Sequence, residues 1–210
     1  LNWKDTGTIL PPEKDLSKEQ MEAIKFALDR PISIITGAAG TGKSTIVKEI
    51  VRNIEARRQS YRITAFQGKA VKVIRKVTGK DACTMHLHLK RTEKPKLYDY
   101  LIIDEISTVS TSLIYQYFKY FGRSPHIILV GDKNQIEPIE AGNFMVEVLK
   151  TNSVPTFRLS KNFRLKDRSV DNGIIVNATN ILEGHNFKFI PSATFAVIKC
   201  DIGGVREILE

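Results

Sequence analysis

A single stretch, GAAGTGKS at residues 37–44, restricts the possible folds of this 210-residue chain more than any other feature. It fits the pattern GxxxxGK(S/T) and stands between a short apolar run and an amphipathic run. Glycines at this spacing let backbone N–H groups close around a phosphate, while Lys43 can reach the β and γ phosphates and Ser44 can hold Mg²⁺. The stretch therefore predicts a strand, a phosphate-binding loop and a helix that together form a nucleoside triphosphate site.

The rest of the chain alternates between strand-like and helix-like segments. The strand-like runs are PISIITG, YRITAF, YDYLIIDE and HIILVGD, and the helix-like runs are LSKEQMEAIKFALD, KSTIVKEIVRNIEARR, KAVKVIRKVTG and STSLIYQYFKYFG. Ser17 and Gln20 have the spacing of a capping box, and Gly79 and Gly122 are placed to end two other helices. This alternation predicts an α/β fold with a mainly parallel sheet, helices on both faces, and ligands beyond the carboxyl ends of the strands.

Composition narrows the class of protein. With 42% hydrophobic and 26% charged residues, the chain has the composition of a globular domain. No apolar run reaches the roughly 18 residues that a membrane span needs, and no signal segment opens the chain, so we expect an intracellular protein without membrane contact. Cys83 and Cys200 lie far apart and lack the spacing of a zinc site, which predicts two buried thiols.

The net charge of +9 is concentrated in one stretch. Residues 52–96 contain 13 Lys or Arg against 3 acids, a surplus of +10, whereas the other residues hold 19 basic against 20 acidic ones, a balance of −1. A localised basic zone is typical of a surface that meets phosphates, and it is also compatible with solvated helix faces. In a chain with a phosphate-binding loop, we favour a nucleic-acid surface.

The stretch LIIDEIS, residues 101–107, supplies two adjacent carboxylates at the end of an apolar strand. Such carboxylates can divide the work, with Asp104 holding Mg²⁺ through its water shell and Glu105 polarising the attacking water. Pairs of Asp and Glu are common on protein surfaces, but this pair follows a buried strand downstream of a phosphate-binding loop. The pattern predicts hydrolysis of the triphosphate.

A glutamine, Gln135, lies three residues beyond Asp132 at the end of HIILVGD. A strand order that places both HIILVGD and LIIDE beside the phosphate-loop strand would bring Gln135 close to the γ-phosphate. Its amide could then bind the phosphate or the attacking water and report the nucleotide state. Alternatively, Asp132 and Gln135 cap a turn that Pro138 and Gly142 shape.

Seven segments in a fixed order resemble the amino-terminal motor domain of superfamily 1 DNA helicases of the RecD-like and Dda-like branch, which move 5′ to 3′ on single strands. They are LSKEQMEAI, GAAGTGKST, ITAFQGKAVKVI, TMHLHL, LIIDEIS, GDKNQIEP and LSKNFR, which match motifs Q, I, Ia, Ib, II, III and IV. The resemblance implies a RecA-like P-loop NTPase domain over residues 16–184. A leader at 1–15 would precede it, and residues 185–210 would be a linker or the start of a following domain.

The resemblance also implies roles for residues that match the family's motifs. Those implied to bind ATP are Gln20, which would contact adenine, and Gly37, Ala38, Ala39, Gly40, Thr41, Gly42, Lys43, Ser44 and Thr45. Those implied to hold Mg²⁺ are Ser44 and Asp104, and those implied to act in hydrolysis are Lys43, Glu105, Gln135 and Arg164. Those implied to touch the DNA backbone are Gln67, Gly68, Lys69, Thr84 and His86, all inside the basic stretch.

In that family the ATP site lies between two RecA-like domains, and the residues after Arg164 show no second set of motifs. We therefore expect a piece of a longer DNA helicase of repair or recombination, either cytoplasmic or nucleoid-associated, with single-stranded DNA rather than RNA as partner. The piece alone should bind ATP, hydrolyse it slowly and unwind nothing, because an arginine finger is worth about 10³ to 10⁵ in rate. A small-substrate P-loop kinase and a nucleotide-binding module without motor activity remain as alternatives.

Overall fold

One parallel sheet forms the centre of the computed structural model, which describes residues 9–13, 15–90, 97–121, 123, 126–161, 163, 173–186 and 188. Its strands are β1 (Ile32–Gly37), β2 (Tyr61–Ala65), β3 (Ala82–Thr84), β4 (Tyr100–Asp104), β5 (His126–Gly131) and β6 (Thr156–Leu159). The strand order is β3-β2-β4-β5-β1-β6, and every neighbouring pair is parallel. The predicted α/β fold is therefore confirmed.

Helices connect the strands. They are α1 (Lys18–Leu28), α2 (Lys43–Ala56), α3 (Gly68–Thr78), α4 (Met85–Lys90), α5 (Thr111–Phe121), α6 (Phe144–Thr151) and α7 (Gly173–Leu182), with a 3₁₀ turn at Ile106–Thr108. The predicted capping box is present, because Ser17 Oγ accepts from Gln20 N at 3.2 Å and Gln20 Oε1 accepts from Ser17 N at 3.0 Å. Gly79 ends α3 in the left-handed conformation, as predicted, whereas Gly122 lies outside the described residues.

Two hydrophobic cores cover the two faces of the sheet. Consecutive strand residues alternate between them, as the pleat of a strand requires: Ile35 and Ile102 belong to one core, and Ile34 and Leu101 to the other. The first core contains buried side chains of α1, α2 and α3, and the second contains those of α5 and the 3₁₀ turn. Helices therefore lie on both faces, as predicted, and Cys83 is buried. Cys200 lies outside the described residues.

The topology brings the ends of β1, β4 and β5 to the same edge of the sheet. The phosphate-loop strand β1 pairs with β5, and β4 pairs with β5 rather than with β1. The strand that carries the two acids is thus one position further from the phosphate loop than a direct neighbour would be. Loops that follow β4 and β5 bridge this distance.

The chain divides into two compact units, one from Leu1 to Phe163 and the other from Arg164 to Glu210. The first contains the sheet and helices α1 to α6, and the second contains α7, whose Asn177 Nδ2 donates to Gly173 O at 2.8 Å. The domain boundary at residue 184 stays a prediction. In the described part of the chain, no helix has both the length and the apolar character to cross a membrane.

Candidate active site

The phosphate loop runs from the end of β1 to the start of α2. Gly40 and Gly42 have φ angles of 89° and 86°, in the left-handed region that favours glycine. Thr41 closes the loop, since its backbone N and its Oγ1 both donate to Ala38 O, at 3.3 and 2.9 Å. A Cβ on Gly42 would lie 2.4 Å from Gln20 Nε2. Glycine at this position therefore satisfies both the backbone angle and the close approach of α1.

The ammonium group of Lys43 folds back over this loop. Its Nζ donates to Gly37 O at 2.6 Å and to Ala38 O at 3.2 Å. Ser44 and Thr45 follow in the first turn of α2, where free backbone N–H groups favour anions. The loop thus presents a positive charge and backbone donors at one place.

Gln20 connects α1 to the phosphate loop. Its side chain is 5% exposed, and its Nε2 donates to Thr41 O at 3.3 Å while its Oε1 serves the capping box. The NH₂ group carries two donors, and one of them is used by Thr41 O. The contact of Gln20 with adenine stays a prediction.

The two predicted acids occupy different environments at the end of β4. Asp104 is 6% exposed, and its Oδ1 accepts from Glu105 N at 3.0 Å. Burial raises the pKa of Asp104 to about 7, and the neighbouring charge of Glu105 adds to this increase. Glu105 has φ 54°, and its Oε2 is buried without a hydrogen-bond partner among the described residues. A cation here would relieve both the burial and the repulsion of the carboxylates.

Gln135 contacts the turn that carries Glu105. Its Oε1 accepts from Ser107 Oγ at 3.2 Å, and Ser107 belongs to the 3₁₀ turn that starts one residue after Glu105. Asp132 does cap a turn, since its Oδ1 accepts from Asn134 N at 3.0 Å and its O from Gln135 N at 3.1 Å. The turn-capping interpretation thus describes Asp132, while the side chain of Gln135 makes a separate contact with the acid-bearing turn.

One cavity of about 370 Å³ joins Ser44 at the start of α2 with the two acids and Gln135, while Lys43 and Gln20 do not line it. Its lining contains the predicted metal and hydrolysis residues Ser44, Asp104, Glu105 and Gln135, together with Gln67, Lys69, Ala70, Val73, Thr108 and Ile136. Gln67 and Lys69 were predicted to touch DNA, so the structure places part of the predicted DNA-binding group in the same cavity as the acids. The other members of that group lie elsewhere.

Gly68, Thr84 and His86 do not line this cavity. Gly68 starts α3, with no atom within 4 Å of the position that a Cβ would occupy. Thr84 Oγ1 accepts from Leu87 N at 3.2 Å and so caps α4. His86 is exposed, and its ring centroid lies 5.7 Å from that of Phe66. Arg164 lies outside the described residues.

Ion pairs account for part of the basic stretch. The described pairs are Arg52 with Glu49, Arg62 and Arg75 with Asp81, and Lys80 with Glu55. By contrast, Lys69, Lys72 and Lys76 are exposed on α3 and form no ion pair with another residue that the structure describes. Their spacing of three and four residues places them on one face of the helix. Part of the positive charge that remains available therefore begins at the cavity and continues along α3.

Sequence reasoning missed three residues around the site. Ser107 follows the acids directly in the sequence, but its bond to Gln135 spans 28 residues and has no local signal. Phe163 N donates to Gly40 O at 2.9 Å, and Glu19 binds the chain just before Phe163. The sequence did offer one signal for Phe163, because it directly precedes Arg164 in the matched segment LSKNFR.

Comparison with known proteins gives the family. A family model described as AAA domain matches residues 15–185. The ATP-dependent RecD2 DNA helicase of Deinococcus radiodurans is 30% identical over 179 residues, which cover 81% of this chain and 24% of that protein. The RecBCD enzyme subunit RecD of Buchnera aphidicola is 28% identical over 181 residues, which cover 70% of this chain and 30% of that protein. The chain therefore spans less than a third of the length of these relatives.

Solved structures agree on the fold. The Pif1 helicase from Candida albicans has a TM-score of 0.62 at 21% identity, with 90% of this chain and 50% of that chain covered. The Bacteroides Pif1 bound to ssDNA has a TM-score of 0.51 at 17% identity, with 93% and 56% covered. The chain thus belongs to the family described as AAA domain, its sequence is similar to those of RecD2 and RecD, and its fold is that of the Pif1 structures.

Proposed function

We propose that this chain is the ATP-hydrolysing motor domain of a DNA helicase that moves 5′ to 3′ on single-stranded DNA. The observation that carries the proposal is the single cavity lined by Ser44, Asp104, Glu105 and Gln135. These residues come from three separate places in the chain, the start of α2, the end of β4 and the loop after β5, and each supplies a group that triphosphate hydrolysis requires. The RecD2 and Pif1 relatives are named as helicases, which supports the same activity here.

Binding of the triphosphate would fall to the phosphate loop. Backbone N–H groups between Gly37 and Ser44 would donate to phosphate oxygens. The ammonium of Lys43 would exchange its contacts with the carbonyls of Gly37 and Ala38 for contacts with phosphate oxygens. Phe163 and Gln20 flank Gly42, with the ring 4.0 Å and the amide 2.4 Å from the position of a Cβ there. An aromatic ring and an amide beside the loop are suited to a purine base.

Mg²⁺ would be held by Ser44 and Asp104, and its charge would neutralise the phosphate oxygens. In the described part of the chain, no group of three or more His, Cys, Asp or Glu side chains could bind a metal alone. This fits Mg²⁺, which is usually bound by one or two carboxylates together with substrate phosphates. Glu105 would accept the proton of the attacking water, with its left-handed backbone fixing the direction of the carboxylate.

DNA would bind at the rim of the same cavity and so influence hydrolysis. Gln67 and Lys69 line it beside the acids, and Gln135 contacts the acid-bearing turn through Ser107. A DNA phosphate bound by Lys69 would therefore lie close to the hydrolytic groups. We infer further contacts through Gly68, Thr84 and His86, a second RecA-like domain opposite the site, and a γ-phosphate contact of Arg164. An intracellular protein that prefers DNA over RNA is part of the same proposal.

Steady-state ATPase measurements with and without single-stranded DNA test this function in the natural full-length protein. We expect DNA to stimulate hydrolysis, and Lys43→Ala to reduce it on the order of a hundredfold, because Lys43 carries charge to the phosphates. Lys48→Ala is the matched control, since Lys48 lies on the same helix and pairs with Glu13 at 2.9 Å. Phosphate transfer to a small acceptor without DNA dependence would indicate a kinase. ATP binding without any turnover would indicate a module without motor activity.

A further inference from the structure

Glu19 lies in the first turn of α1 and binds a segment that is distant in sequence. Its Oε1 accepts from Ser160 N at 2.8 Å and from Ser160 Oγ at 2.6 Å, and its Oε2 accepts from Lys161 N at 3.1 Å. Both partners come directly after Leu159, where β6 ends. The three hydrogen bonds fix the path of the chain as it leaves the sheet.

The same segment is bonded to the phosphate loop. Phe163 N donates to Gly40 O at 2.9 Å, only two residues after Lys161. Next to Glu19, the side chain of Gln20 donates to the carbonyl of the neighbouring loop residue Thr41. Gln20 of α1 therefore binds the phosphate loop, and the adjacent Glu19 binds the exit segment. The loop and the exit segment also contact each other directly through Phe163 and Gly40.

An ionised carboxylate suits this position. Among the described residues, the three groups bonded to Glu19 are all donors, and both oxygens of a carboxylate are acceptors. Burial raises the pKa of Glu19, but hydrogen bonds from Ser160 and Lys161 outweigh this effect, so its pKa lies below the ordinary value. A glutamine would keep one acceptor and turn its NH₂ group toward the remaining donor.

We propose that Glu19 is a positioning residue that ties the exit segment, represented by Ser160, Lys161 and Phe163, to the phosphate loop. This inference rests on the proposed function, because it takes the loop to bind ATP. Nucleotide held by the loop then orders the exit segment. Glu19 itself need not touch the nucleotide. Without it, the loop still binds phosphates and stays bonded to Phe163, while Ser160 and Lys161 no longer follow the loop.

Amide hydrogen exchange measured by NMR on the full 210-residue chain tests this role, with and without a non-hydrolysable ATP analogue and Mg²⁺. In the wild type we expect the analogue to slow exchange of the Ser160, Lys161 and Phe163 amides. In Glu19→Ala we expect the Ser160 and Lys161 amides to exchange about tenfold faster or more, because a hydrogen bond to a charged group is lost. The analogue should no longer slow them, while its Kd changes by less than about threefold.

Two further variants separate positioning from general stability. Glu22→Ala is the matched control on the same helix, since Glu22 pairs with the exposed Lys18 at 3.9 Å, and we expect it to exchange like the wild type. Glu19→Gln should retain slow exchange at Ser160 and lose it at Lys161. Wild-type exchange and a wild-type response to the analogue in Glu19→Ala would overturn the proposal. An analogue that does not bind the wild type would instead overturn the proposed function on which the proposal rests.

Discussion

Asp104 and Glu105 are adjacent in sequence, yet the structure gives them different chemistry. Asp104 is the last residue of a fully buried strand, and burial together with the charge of Glu105 raises its pKa to about 7. Glu105 turns away in a left-handed backbone conformation that costs a non-glycine residue about 1–2 kcal/mol. Strain of this kind is concentrated at functional sites. The pair therefore fits a division between a metal-binding carboxylate and a water-activating one.

Asp104→Asn is expected to stabilise the metal-free chain at about pH 8 and to change little near pH 4. Because the folded-state pKa of Asp104 is raised to about 7 from 3.8, the folded chain holds a proton that the unfolded chain releases. Wild-type stability therefore falls as pH rises from about 4 to about 7. Asparagine keeps the acceptor for Glu105 N and cannot ionise.

Urea unfolding in EDTA across this pH range measures the effect. Glu137→Gln, at an exposed position of the loop after β5, is the control that removes an acid without removing a buried charge. A wild-type stability curve that runs parallel to that of Asp104→Asn between these pH values would contradict the prediction.

Elements differ in how far the sequence predicts them. Four strands and four helices were predicted from apolar runs, helical spacing and capping residues, and all eight are present. The elements β3, α4, β6 and α6 were not predicted. With three and four residues, β3 and β6 are shorter than the predicted strands, and with six and eight residues, α4 and α6 are shorter than the predicted helices, so their periodicity gives less signal. Sequence distance also explains which residues of the site were predicted and which were missed. Ser44, Asp104, Glu105 and Gln135 carry local motifs, whereas the contacts of Ser107 and Glu19 span 28 and 141 residues.

The close packing of the 3₁₀ turn against β5 leads to a prediction at Gly131. A Cβ there would lie 2.9 Å from Ile106 Cγ2 and 3.1 Å from Ser107 N, so the turn that carries Ser107 would have to move. We expect Gly131→Ala to destabilise the fold by about 1–3 kcal/mol and to lower DNA-stimulated ATPase activity. Thermal unfolding and ATPase assays measure both effects.

Gly68→Ala provides the comparison for that variant. No atom lies within 4 Å of a Cβ at Gly68, and the residue starts a helix, so alanine should be neutral or slightly stabilising. Equal melting temperatures for Gly131→Ala and Gly68→Ala would show that the turn can shift without cost, against our expectation.

At the scale of the whole molecule, the fold distributes the charge of the basic stretch unevenly between paired and unpaired side chains. The basic stretch carries a surplus of +10, but the fold pairs several of its arginines with acids and leaves a row at Lys69, Lys72 and Lys76. Only Lys69 of this row lines the cavity with the acids. Salt-dependent DNA binding can therefore distinguish a contact at the cavity from general attraction to α3.

Lys69→Ala should lower the slope of log K against log salt by about 0.7 for single-stranded DNA, the amount that corresponds to one phosphate contact. Lys76→Ala removes the same charge from the same helix, two turns from Lys69 and at a residue that does not line the cavity, and should leave the slope nearly unchanged. Fluorescence anisotropy with a labelled oligonucleotide over a range of salt concentrations measures both slopes. If both variants lower the slope equally, the whole face of α3 attracts DNA without a defined contact. If neither does, the DNA phosphate contact that we assign to Lys69 is wrong, and the coupling between DNA and hydrolysis must pass through other residues.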